Sequence, residues 1–141
     1  MNKKSVKRSF IQRLLGKSAT QKPGVDDCWH YEDGRLTIDL DKTPELRLPG
    51  GAIRIEEKNL PIRIIVVLSE DGEYRAYHNR CTHIGHRRLD PVPGTNTVQC
   101  CSVNKSTFDT GGEKICGPAP HPIKSYPVDR DQEKLIILIP E

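Results

Sequence analysis

From Cys28 onward, apolar residues come in short runs, and a turn signal cuts each one off. Leu36, Ile38 and Leu40 alternate after Glu32-Asp33-Gly34. Leu46 and Leu48 lead into Pro49-Gly50-Gly51, and Ile53 and Ile55 alternate beyond it. Ile62 to Leu68 is a continuous apolar run between turns, the pattern of a central strand. Ser69-Glu70-Asp71-Gly72 then forms a hairpin turn into a strand at Glu73–His78. Further strands are expected at Thr97–Cys101, Glu113–Cys116, Ile123–Val128 and Lys134–Ile139. Some eight strands with no helix between them predict an antiparallel all-β domain. Eleven glycines and eleven prolines fit such a loop-rich fold. With 141 residues there is room for one compact domain and an appendage. Apolar residues make up 35% and aromatics 5%, so the core is thin. Small domains of this kind often rely on a metal or cross-links to hold their loops.

The appendage is residues 1–25. It carries seven of the 22 Lys/Arg and none of the 19 Asp/Glu, which leaves the body, residues 26–141, mildly acidic. Phe10, Ile11, Leu14 and Leu15 fall at helical spacing, with Arg8 and Arg13 on other faces, so residues 5–16 read as a short basic amphipathic helix ending at Gly16. Its expected uses are contact with a membrane surface or docking to a partner, against the plain reading of a solvated tail. Residues 17–24 read as a linker. The body has no basic stripe interleaved with stacking aromatics, which argues against nucleic-acid binding.

Five cysteines, two of them adjacent (Cys100 and Cys101), do not read as a secreted disulfide framework. No apolar run reaches the roughly 18 residues of a membrane span. The apolar stretch of about 7–15 residues that a signal peptide needs is also missing. Reduced thiols in the cytoplasm are the expectation.

The chemistry concentrates between residues 78 and 128. One segment reads Cys81-Thr82-His83-Ile84-Gly85-His86; another runs from Cys100-Cys101 through Asn104-Lys105 to Phe108-Asp109. Each follows a strand, so each can form a loop that projects ligands. A Cys and a His one residue apart can reach the same small cluster. Thiolates suit iron held by sulfide, and a neutral imidazole completes a site of higher potential.

On these residues the chain resembles the Rieske iron–sulfur family, whose two loops, Cys-x-His and Cys-x-x-His, hold a 2Fe–2S cluster. Cys81, His83 and Gly85 match the first loop. Phe108-Asp109 and Gly111 match the end of the second and place its cysteine at Cys101. Gly117-Pro118-Ala119-Pro120 resembles the proline loop that covers the cluster, with Pro122-Ile123, Tyr126 and Val128 after it. Leu48-Pro49-Gly50 and Ala76-Tyr77-His78-Asn79-Arg80 resemble the run-up to the first loop. The similarity spans roughly residues 34 to 140. It implies a small antiparallel β domain with two cluster-binding loops and a proline loop. It also implies one 2Fe–2S cluster on Cys81, His83 and Cys101, shielded by Gly85 and residues 117–120.

Three departures follow from the same register. Asn104 stands where the second histidine belongs, and Lys105 replaces the glycine after it. The first loop is one residue longer, with His86 and Arg87 before Arg88-Leu89, and Cys100 adds a thiol beside Cys101. A neutral amide oxygen suits hard cations, so Asn104 is a poor ligand here. His86 and Cys100 stand level as candidate fourth ligands, with Cys116 behind them and Asn104 last. A thiolate in the fourth position would move the potential from the Rieske range, about −150 to +300 mV, toward the roughly −400 mV of all-cysteine clusters.

The resemblance implies an electron carrier of Rieske-ferredoxin type. Such a carrier passes one electron from a reductase to an acceptor and transforms no organic substrate itself. The competing reading is a cluster-free structural or binding module, and a third is zinc held by Cys81, His83, His86 and Cys101. Cys28 and Cys116 read as buried small hydrophobes. Trp29 and Tyr31 read as core or edge aromatics, His30 and His121 as surface residues. Arg87 and Arg88 read as solvated loop charges that, beside a cluster, would suit an acidic partner.

Overall fold

The computed structural model describes residues 20–56, 60–80, 88–92, 94–100, 106–117 and 121–139. The strands among them, in chain order, are β1 (Trp29–Glu32), β2 (Arg35–Asp39), β3 (Ala52–Ile55), β4 (Ile64–Leu68), β5 (Tyr74–His78) and β6 (Leu89–Pro91). They continue as β7 (Val98–Cys100), β8 (Thr107–Phe108), β9 (Lys114–Cys116), β10 (Ser125–Tyr126), β11 (Val128–Asp131) and β12 (Lys134–Leu138). They form three four-stranded antiparallel sheets, ordered β1-β2-β12-β11, β10-β5-β4-β3 and β6-β7-β8-β9. The all-β antiparallel expectation is borne out.

Local chemistry explains the first hairpin. Asp33 and Gly34 join β1 to β2 with φ of 51° and 75°, the paired left-handed conformation that a two-residue turn between twisted strands requires. Asp and Gly adopt it at little cost. Leu36 and Ile38 then face inward, fully buried, as their alternation predicts. Leu40 is buried too, in a short 3-10 turn that follows β2. Leu46 is buried while Leu48 is 75% exposed, because a second 3-10 turn, Pro44–Leu46, replaces an extended run there.

β4 is the centre of the molecule, buried along its whole length. Side chains alternate across a strand, so Ile64 and Val66 join one apolar cluster and Ile65 and Val67 the other. The first cluster fills the space against the first sheet with Leu36, Ile38, Leu135 and Ile137. The second joins β4 to the third sheet through Tyr77, Leu89, Val98, Cys100, Phe108 and Ile123. The second sheet therefore lies between the other two, and its far core carries the third.

One sequence reading changes here. Cys28 is buried, as expected, but Cys116 is exposed, because β9 is an edge strand with all three of its residues in solvent. Residues just before position 26 also touch the body. Thr20 is buried and its amide donates to Asp90 Oδ1 at 2.7 Å, and the Arg54 amide donates to the Gln21 carbonyl at 3.0 Å. Residues 20–24 are thus tied to the domain. The basic helix read at 5–16 lies outside the described residues.

Candidate metal centre

Three stretches outside the described residues each have at least one described flank at one corner of the third sheet. The first, residues 81–87, leaves after β5 and returns into β6. The second, 101–105, leaves β7 and returns into β8. The third, 118–120, leaves β9. Leu89 pairs with Cys100, so the end of the first loop lies beside the start of the second. Thr107 pairs with Cys116, so the end of the second lies beside the start of the third. The necks are adjacent because the strands that carry them are.

Each neck has its own fastening. Asn79 is fully buried, and its Oδ1 accepts the Leu89 amide at 2.7 Å, linking the two ends of the first loop. Its own amide donates to the Arg63 carbonyl at 2.8 Å, while its Nδ2 is buried without a hydrogen-bond partner among the described residues. At the second loop the Cys100 amide donates to the Ser106 carbonyl at 2.7 Å, and both residues are buried. Gly117 opens the third loop at φ +99°. A Cβ there would lie 2.4 Å from Ser106 Cα, so only glycine lets the third loop start against the end of the second.

Charge is organised around the first neck. The Glu56 carboxylate is 7% exposed and accepts both Nε and Nη2 of Arg88, at 3.0 and 3.1 Å. Arg54 Nη1 approaches the same carboxylate at 3.3 Å. Arg88 directly follows the first loop, so it is a clamped residue and not the solvated charge read from the sequence. His78 stands on the other side, at the end of β5. Burial lowers its pKa, and the charges of Arg80, Arg63 and Lys124 lower it further. Beneath them Tyr77 donates its hydroxyl to the Thr110 carbonyl at 3.0 Å. Burial pushes its pKa up to about 12, so it stays a donor at any ordinary pH.

Cys81, His83, Gly85, His86, Arg87, Cys101, Asn104, Lys105 and residues 118–120 lie outside the described residues. Two other candidates are placed. Cys100 is fully buried in the apolar cluster of Leu89, Val98 and Phe108. Cys116 is exposed opposite Thr107. Sequence reasoning missed Glu56 and gave Asn79 no task. A carboxylate beside Glu57 and Lys58 looks like a solvated turn, and nothing in the sequence marks its burial. The donor chemistry fits an iron–sulfur cluster: Cys81, His83, His86 and Cys101 belong to two stretches of sequence whose described flanks, Leu89 and Cys100, pair over an apolar core.

Residues 38–127 match the family model of the Rieske [2Fe-2S] domain. The 3-phenylpropionate/cinnamic acid dioxygenase ferredoxin subunit of Shigella boydii serotype 4 (strain Sb227) is 29% identical over 94 residues, 65% of this chain and 84% of that protein. Among solved structures, a chain from the complex of reduced oxygenase and oxidized ferredoxin in carbazole 1,9a-dioxygenase aligns with a TM-score of 0.58 at 13% identity, over 76% of this chain and 94% of that one. The ferredoxin of carbazole 1,9a-dioxygenase from Nocardioides aromaticivorans IC177 aligns with a TM-score of 0.54 at 20% identity, over 74% of this chain and 95% of that one. These structural likenesses show the fold.

Proposed function

The chain belongs to the Rieske [2Fe-2S] domain family, and from that premise we infer that it is a one-electron carrier whose first two loops hold a 2Fe–2S cluster. The observation that supports this most is the pairing of Leu89 with Cys100, which brings a described flank of residues 81–87 beside a described flank of residues 101–105. When bound, the cluster accepts and releases a single electron. The chain's own residues do the rest. Cys81 and Cys101 bind one iron, and His83 and a fourth donor bind the other. Asn79 and the Glu56–Arg88 pair fix the ends of the first loop. Gly117 seats the covering loop on Ser106. Curated relatives are ferredoxin subunits of a dioxygenase; by analogy, this chain takes electrons from a reductase and delivers them to an oxygenase, in the cytoplasm.

For the fourth donor, His86 is favoured over Cys100. The Cys100 side chain is fully enclosed by Leu89, Val98 and Phe108, and withdrawing it toward the loops would open a cavity in the second core. Cys116 lies exposed on the outer strand, and an amide at Asn104 is a poor partner for sulfide-bound iron. A redox titration across pH tests the assignment. With His86 as ligand the midpoint stays within about −150 to +300 mV and falls with rising pH as imidazoles deprotonate. A midpoint shifted below that range toward the roughly −400 mV of all-cysteine clusters, with the pH dependence of one imidazole and lost in Cys100→Ala, would instead select the thiolate.

A further inference from the structure

Three cations, Arg63, Arg80 and Lys124, come together at the described residues just before position 81. Three backbone hydrogen bonds gather them. The Asn79 amide donates to the Arg63 carbonyl at 2.8 Å, the His78 amide to the Lys124 carbonyl at 2.9 Å, and the Arg80 amide to the His78 carbonyl at 2.7 Å. Arg63, Arg80 and Lys124 thus surround His78, and Arg80 is the residue before Cys81. Arg80 and Lys124 are exposed and Arg63 is half-buried. The Lys124 ammonium rests 5.4 Å from the centroid of the Tyr126 ring, which steadies it. The charges of Arg80, Arg63 and Lys124 all act to lower the His78 pKa, after burial, which lowers it most. Arg88 is engaged by Glu56 and adds little outward charge.

Besides Glu56, acids gather on another part of the surface. Residues 26–42 hold six Asp/Glu against two Arg/Lys, and Asp129, Asp131 and Glu133 are exposed on β11 and the turn after it. These residues belong to or adjoin the first sheet, across the second sheet from the third. A body that is acidic overall therefore turns a positive face outward at the first ligand loop. Such an asymmetry orients an approaching charged surface before contact.

We propose that Arg63, Arg80 and Lys124 form the docking site for an acidic surface on the redox partner, which they bring to the edge of the first ligand loop. The proposal rests on the electron-carrier reading above.

The test uses the full chain, reduced with dithionite and mixed rapidly with an anionic oxidant, ferricyanide, or a cationic one, tris(phenanthroline)cobalt(III). Ferricyanide oxidation should slow about tenfold as ionic strength rises from low to physiological, and oxidation by the cobalt complex should not. Arg80→Glu with Lys124→Glu should abolish or reverse that salt dependence. Arg35→Glu with Lys134→Glu makes the same change in net charge on the first sheet and should leave it nearly as it was; circular dichroism and the visible spectrum confirm the fold of both. Poly-L-glutamate should slow ferricyanide oxidation of the unmodified chain and not of the Arg80/Lys124 variant. Equal salt slopes in the two double variants, or stronger competition by phosphatidylserine vesicles than by poly-L-glutamate, would overturn the proposal. A colourless protein would defeat the electron-carrier reading alone. Calorimetric binding of poly-L-glutamate, lost in the Arg80/Lys124 variant and kept in the Arg35/Lys134 variant, would then sustain the patch, and its absence would remove it.

Discussion

Exchanging Cys101 for serine is expected to strip the chain of iron, leaving less than about a tenth of the unmodified chain's content, with loss of the visible bands. The hydroxyl that replaces the thiol is a harder donor with a far higher pKa, and it does not compete for iron bonded to sulfide. The neighbouring thiol should behave in the opposite way. Cys100 is enclosed by Leu89, Val98 and Phe108, so Cys100→Ala should keep the iron and cost only about 1 kcal/mol of stability. Iron analysis and the visible spectrum of the two variants, purified side by side without oxygen, check the pair. If Cys101→Ser keeps its iron while Cys100→Ala loses it, the register of the second loop is wrong.

Replacing Glu56 with glutamine should destabilise the protein by about 2 kcal/mol. A buried ion pair that loses one member leaves the other charge uncompensated, at a cost of roughly 3–5 kcal/mol when it is fully buried. Here the Arg54 and Arg88 side chains are 22% and 31% exposed, and water recovers part of that loss. For a chain of this size the melting temperature should drop by about 6 °C. Glutamine can still accept one hydrogen bond from Arg88, so the effect isolates the charge. Arg88→Met should cost a similar amount, and the double variant little more than either single one, since both break the same contact. Thermal unfolding followed by circular dichroism measures all three. Strictly additive losses would show that Glu56 and Arg88 act separately and that the clamp at the first neck is not an energetic unit.

Long or strongly patterned strands were legible in the sequence. The run from Ile62 to Leu68 became β4, and the spacing of Leu36 and Ile38 became β2, because burial on both faces writes a continuous apolar run and burial on one face an alternation. β1, β6, β8 and, beyond Val128, β11 were not anticipated. β6 and β8 are only three and two residues long, too short to show a period, and exist because β7 pairs with each of them. Cys116 illustrates the same limit. Its residue type suggests burial, yet its exposure follows from β9 lying at the edge of a sheet, which no local pattern states. Glu56 and Asn79 were illegible for a different reason. Their partners, Arg88 and Leu89, lie 32 and 10 residues away, and a polar residue gives no sign that it will be buried by a distant one. The cysteines and histidines stood out as candidates because metal chemistry restricts which residues can serve and how closely they must be spaced.

Iron, acid-labile sulfide and zinc, measured per chain on protein purified without oxygen, test the account most directly. Two irons and two sulfides with negligible zinc are the predicted result for loops that share one corner and hold one cluster. One zinc, or a well-folded chain that contains neither metal, would mean that the adjoining necks carry something other than a carrier of electrons.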